Sequence, residues 1–248
     1  MMKLLFENWR KFLNERMKFG EGFEQWIHGE GECEEQSVNP SCLMEYGFEK
    51  VDEGSFREVW QLPDNPNYVM KVTAGEFGSS EEQRVMNQRE ADMITQTGYP
   101  DLLPKVYDRA KDYSWIVVEA VEPYEYDDKW IDDYFPIFKK FQDDNRKNKN
   151  FAWRGDDAED FFQGYTERRI DEIRKKINLA DSKLTVEFGG ARARKEFEDQ
   201  LPPLYHRVLE LIEHHDLTPS EVRSDNVGRG IDGRFVILDI GGEVKKKK

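Results

Sequence analysis

The stretch SEVRSDNVGRGIDGRFVILDIGG, Ser220 to Gly242, decides how this chain is read. It sets an acid at Glu221, an amide five residues later at Asn226, and a second acid thirteen residues further on at Asp239. Asp239 follows an apolar run that reads as a strand, and Ile240-Gly241 after it reads as a turn. An acid so placed can orient an attacking hydroxyl. The amide and the second acid can hold Mg²⁺ against phosphates, so metal-dependent phosphoryl transfer can use this spacing.

Two upstream segments fit the same chemistry. VDEGSFREVW, Val51 to Trp60, reads as strand, tight turn and strand, with Gly54 in the turn. YVMKV, Tyr68 to Val72, is an apolar strand carrying one lysine, Lys71. Nineteen residues on, EEQRVMNQREADMI reads as a helix carrying Glu90, an ion-pair partner for Lys71. Taken singly, each has an ordinary reading. A strand lysine usually faces water at a sheet edge, a helical glutamate usually sits on a solvated face, and Asp-Ile-Gly is usually a plain turn. The order and spacing of the whole set carry the argument.

That order resembles the protein-kinase fold. Val51 to Trp60 is similar to the family's G-x-G-x-F-G-x-V loop, with Gly54, Ser55, Phe56 and Val59 in register, while Asp52 and Arg57 stand at its first and third glycines. Loss of those glycines removes freedom for close backbone approach. Val69-Met70-Lys71 resembles V-A-I-K, and Glu90 falls on the helix C glutamate. The stretch from Ser220 resembles H-R-D-L-K-P-x-N and D-F-G, with Glu221 at the base aspartate, Arg223 at the loop lysine, Asn226 at the asparagine and Asp239 at the metal aspartate. WIVVEAVEP, Trp115 to Pro123, resembles the hinge strand; the resemblance gives adenine the backbone groups of Glu119 and Val121, with Val118 guarding the back pocket. It implies ATP and Mg²⁺ as cofactors: Gly54, Ser55, Phe56, Val59, Lys71, Glu90, Glu119 and Val121 on the nucleotide, Asn226 and Asp239 on the metal, and Glu221, Lys71 and Arg223 in catalysis.

Composition bounds the rest. The chain has 248 residues, 35% of them charged, with a formal net charge of −14. That balance argues against a general nucleic-acid surface. No apolar run approaches membrane-spanning length, and the N-terminus has no secretory core. Cys33 and Cys42 cannot make a disulfide framework, and no cysteine–histidine cluster has zinc spacing. A cytoplasmic setting is expected, with ATP and a protein as partners and neither nucleic acid nor membrane.

The fold expected is α+β, a two-lobed kinase-like domain. Residues 1–19 read as an amphipathic helix and also resemble a short N-terminal peptide recurrent on tailed-bacteriophage proteins. On that resemblance the setting is a host cytoplasm or a virion, and the protein partner a host or phage one. Residues 20–45 read as a linker with one short element near Phe23 to Ile27, and 46–123 as an N-lobe of antiparallel sheet and helix C. Asp101 to Asp108 reads as a strand within it. Residues 124–242 read as a reduced helical C-lobe, in which Asp156 to Asp160 carries four acids, and 243–248 as a basic tail. With Lys248 seven residues past Gly241, no activation segment or later helices are expected.

The function expected is transfer of the γ-phosphoryl group of MgATP to a hydroxyl of the protein Ser/Thr kind. Glu221, Asp52 and Arg57 open a second reading, a pseudokinase acting as a nucleotide-binding or interaction module. A third is a small-molecule phosphotransferase of the aminoglycoside or choline type.

Overall fold

A computed structural model of the protein describes residues 19–53, 57–73, 81–96, 98–146, 153 and 157–238. The N-terminal amphipathic stretch, the turn at Gly54, Ser55 and Phe56, Asp239 and the basic tail lie outside them. The chain divides into two compact units, one made of residues up to Pro100 with Pro104–Ala120, the other of Asp101–Leu103 with the chain from Val121.

The first unit is built on five antiparallel strands: β1 (Glu49–Glu53), β2 (Arg57–Leu62), β3 (Asn65–Thr73), β4 (Val106–Arg109) and β5 (Trp115–Glu119), in the order β1-β2-β3-β5-β4. Strand alternation sorts the side chains. Trp60, Leu62, Met70, Val72, Trp115 and Val117 fall into one cluster, Ile116 and Val118 into another with Ala91. Ala91 belongs to α3 (Glu81–Gln96), which lies against β3, β4 and β5.

The first cluster is completed by residues 19–48. α1 (Glu21–His28), at the short element expected near Phe23 to Ile27, and α2 (Pro40–Glu45) occupy the stretch otherwise expected as a linker. Phe23, Trp26 and Leu43 are fully buried with the sheet residues, and the Trp26 and Trp115 rings sit 5.3 Å apart. Glycine and glutamate dominate the composition there and hide a few large apolar residues at helical spacing. Gly29, in the left-handed conformation at φ 63°, ends α1. Asn39 caps α2 by accepting a hydrogen bond from the Ser41 amide at 2.9 Å. Cys33, in the connection between the two helices, and Cys42, within α2, are bonded as a disulfide with Cα atoms 5.8 Å apart. Spacing alone predicts no pairing for them; the turn between them, in which the Ser37 amide donates to Glu34 O at 3.1 Å, reverses the chain.

The second unit holds β6 (Glu122–Pro123), β7 (Val227–Arg229) and β8 (Phe235–Ile237) in one small sheet, and six helices among its described residues. α4 (Lys129–Tyr134) and α5 (Pro136–Arg146) are separate because Pro136 starts a new helix after a non-helical Phe135. α6 (Ala158–Lys175) begins at Asp157, whose side chain accepts from the Asp160 amide at 2.7 Å. Then come α7 (Lys183–Glu187), α8 (Ala191–Glu198) and α9 (Pro203–His214). Phe135, Phe138, Phe161, Phe162, Phe197 and Tyr205 form a buried aromatic interior. Arg194, fully buried on α8, is paired with Glu172 at 2.7 Å and Glu198 at 2.8 Å.

The strand expected from Asp101 to Asp108 is shorter. Asp101–Leu103 forms a turn held in the second unit, where Leu102 O accepts from the Ile237 amide at 2.8 Å and Arg207 pairs with Asp101 at 3.1 Å. Only Val106–Arg109 is strand, after Pro104.

Trp26→Ala distinguishes a structural cap from a linker. Truncating a buried aromatic costs about 3–5 kcal/mol, whereas a change in a linker costs almost nothing. Urea unfolding of the variant should show the larger loss.

Candidate functional site

In the first unit the site is organised around Glu90. Its α3 carboxylate is fully buried. Lys71, inside β3, approaches it with Nζ 2.8 Å from Oε1. Lys71 lies opposite Val59 and Ile116 in the sheet register, so strand alternation sends its side chain to the face that α3 covers. The other carboxylate oxygen, Oε2, accepts from Arg57 Nη1. Burial alone would raise the Glu90 pKa, but the charges of Arg57 and Lys71 and their hydrogen bonds outweigh it and hold the carboxyl down to about 2. Arg57 stands where sequence comparison expects a glycine, and nothing in that comparison marks it as a partner of Glu90. The signal was the two-residue period, which sets Arg57 on the same face as Val59.

Of the other candidates for the nucleotide, Val59 is half-buried. Asp52 lies on β1, exposed along its whole length, and its carboxylate accepts from the Glu53 amide at 2.7 Å. Val118 is buried beside Ala91. Glu119 is held within the sheet: its amide donates to Lys105 O at 2.9 Å, and its carboxylate accepts from the Lys105 amide at 3.2 Å. Val121 opens the second unit and packs against Gly228. A Cβ added at Gly228 would come 2.5 Å from Val121 Cγ1 and 2.6 Å from Glu122 O, so glycine is what allows β7 this close to β6.

In the second unit Glu221 and Asn226 meet. Pro219–Glu221 and Ser224–Asn226 are two short 3-10 turns in succession. The Glu221 carboxylate accepts from Thr218 Oγ1 at 3.2 Å and, in a longer contact, from Asn226 Nδ2 at 3.5 Å. With its amide nitrogen turned to Glu221, Asn226 has its carbonyl oxygen as the atom suited to a cation. Asn226 O accepts from the Leu238 amide at 2.7 Å, which holds the chain beside Asn226 one residue before Asp239. Arg223 is drawn elsewhere: its Nε lies 2.6 Å from Asp225 Oδ1, and its side chain is half exposed.

Glu159 is a residue that sequence reasoning missed. It lies in the run of four acids from Asp156 to Asp160. Its Oε2 accepts from Ser224 N at 3.1 Å, Ser224 Oγ at 2.6 Å and Trp130 Nε1 at 3.3 Å, fastening the loop before Asn226 to α6. No grouping of three metal-ligating side chains occurs among the described residues. Beside the loop a cleft of about 390 Å³ opens, lined by Gln163, Glu167, Asp171 and Arg174 of α6 and by Thr218 and Ser220.

No family model matches this chain, and no curated protein matches it significantly. Among solved structures it is similar to the streptomycin–ATP–APH(2")-IIa ternary complex, with 11% identity over 83% of this chain and 71% of that one, at a TM-score of 0.35. A likeness this distant decides nothing about chemistry. No described helix is long and apolar enough to cross a membrane.

The low Glu90 pKa has a testable sign. A carboxyl depressed on folding contributes stability that is present above its ordinary value of 4.5 and is lost as pH falls toward about 2. Urea midpoints measured across that window should drop more steeply for the parent than for Glu90→Gln. Equal slopes would mean that Glu90 keeps an ordinary pKa.

Proposed function

We propose that this protein binds ATP with Mg²⁺ and transfers the γ-phosphoryl group to a hydroxyl acceptor through a kinase-like arrangement. The observation that carries the proposal is the buried Lys71–Glu90 ion pair at 2.8 Å. Taking a lysine and a glutamate out of water is costly, and a sheet that needed only packing would place apolar residues there.

Lys71 would bind a phosphate oxygen of the nucleotide, with Glu90 fixing its stem. Gly54, Ser55, Phe56 and Val59 would line the phosphates and base, and backbone groups of Glu119 and Val121 would meet adenine. Asn226, through its amide oxygen, and Asp239, through its carboxylate, would hold the metal. When bound, Mg²⁺ supplies charge neutralisation at the phosphates. Glu221 would accept the proton of the attacking hydroxyl. Thr218 donates to this carboxylate and Asn226 lies at its other oxygen, so it is oriented by its own loop. Glutamate is one methylene longer than the family's aspartate, and a displacement of about an ångström can lower the rate on the order of 10²-fold. Arg223, tied to Asp225, would shape the loop.

For the acceptor, a protein Ser/Thr hydroxyl follows from the resemblance. The cleft beside Thr218 and Ser220 favours a small polar acceptor instead, because its hydroxyls, amide and charges can hold a compact hydroxylated molecule. Assays with protein and small-molecule acceptors separate the two.

MgATP should raise the thermal midpoint, by about 2.7 kcal/mol of stabilisation at a hundredfold excess over Kd. Lys71→Ala and Asp239→Ala should each abolish that rise. Glu221→Gln should slow transfer on the order of 10²-fold or more while leaving MgATP affinity nearly unchanged, as removal of a general base does. Absence of any shift at millimolar MgATP would sink the proposal. A shift without transfer to protein, small molecule or water would establish a binding module.

A further inference from the structure

Two cations from neighbouring strands divide one buried carboxylate. Lys71 of β3 meets Glu90 Oε1 and Arg57 of β2 meets Oε2, and both side chains are almost entirely buried. The pair is not redundant. Arginine offers a planar, permanently charged fork on a pre-organised group, whereas lysine is a point charge on a flexible stem that readily changes partners. A buried carboxylate that loses its sole counter-ion is strongly destabilising. A lysine serving alone would therefore be held back by Glu90 whenever a ligand competed for it. With Arg57 in place, Glu90 keeps a charged partner whichever way Lys71 turns.

We infer that Arg57 is a positioning residue, the standing counter-ion of Glu90, which keeps α3 docked on the sheet so that Lys71 can turn toward an anionic ligand. The inference takes the nature of that ligand, a nucleotide phosphate, from the proposed function. The docking itself does not depend on it. The corresponding position is glycine in the family pattern, so this clamp belongs to the present chain.

Hydrogen exchange of the α3 amides without nucleotide tests the docking. Lys71→Met should leave exchange within about threefold of the parent, while Arg57→Gln should accelerate it by about tenfold or more, selectively over α3. Arg57→Lys, which keeps the charge but not the fork, should fall between. If Arg57→Gln does not fold, the comparison of Lys71→Met with Arg57→Lys still decides. The inference is overturned if Lys71→Met releases α3 as much as either Arg57 variant. It is equally overturned if Arg57→Gln speeds exchange uniformly through β2, β3 and β5, which would mark a merely structural residue.

MgATP titration supplies the second readout. Lys71→Met should abolish binding, whereas Arg57→Gln should weaken it by about tenfold, with Arg57→Lys partly restoring it. Abolition of binding by Arg57→Gln with α3 exchange unchanged would make Arg57 a ligand contact and refute the positioning role. If the parent binds no MgATP yet the exchange results hold, the clamp stands and the nucleotide reading falls.

Discussion

A carboxylate fully removed from water has to be paired, and Glu90 is the point at which the first unit meets that requirement. Its two oxygens draw in one side chain from β2 and one from β3, while its backbone belongs to α3. The pairing therefore fixes a helix to two strands at one place, and it constrains direction as well as distance because both oxygens are used. Apolar packing through Ala91, Ile116 and Val118 supplies contact between the same elements, but it is non-directional and would tolerate a sliding helix. The ions set the register.

The second unit solves a related problem by hydrogen bonding. A loop of two short turns has few internal constraints, yet Glu221 and Asn226 must be held to be useful to each other. Glu159 reaches the loop from the first turn of α6 and takes both the amide and the hydroxyl of Ser224. The Leu238 amide reaches Asn226 from the other side. The aromatic interior behind α6 thus lends its rigidity to a polar loop, the usual way a mobile segment is given a defined geometry.

How much of this was legible in the sequence differs by residue, for physical reasons. The pairing of Lys71 with Glu90 could be read only through the order and spacing of the whole set and its resemblance to the kinase pattern, since Glu81, Glu82 and Asp92 lie on the same helix. Most of the five-stranded sheet could be read from short apolar runs bounded by turns, such as Tyr68 to Val72 and Trp115 to Ala120. The role of Arg57 could not, since comparison with a pattern supplies glycine there and diverts attention from which face the residue occupies. In residues 20–45 the short element near Phe23 to Ile27 was legible and is α1, but α2 and the packing of the segment on the sheet were not, because its few large apolar residues stand in a polar composition. Glu159 was hidden in a run of acids, and its partner lies 65 residues away. Local pattern reports which residues are unusual; it does not report long-range pairings.

Among the described residues the sheet has two edges, β1 and β4, and β1 is exposed at every position. An open edge is a template for strand addition from another chain, and it is the route by which antiparallel sheets aggregate. Here that edge reads Glu49, Lys50, Val51, Asp52, Glu53, with three acids and one lysine already engaged by Glu53 and Glu58. A second copy approaching in either orientation would bring acid against acid on a chain already carrying a net charge of −14. The register break between Lys50 and Asp52 further spoils the flat ladder that an incoming strand would need. The edge is thus poorly suited to self-association, which is a property of solubility and not of catalysis.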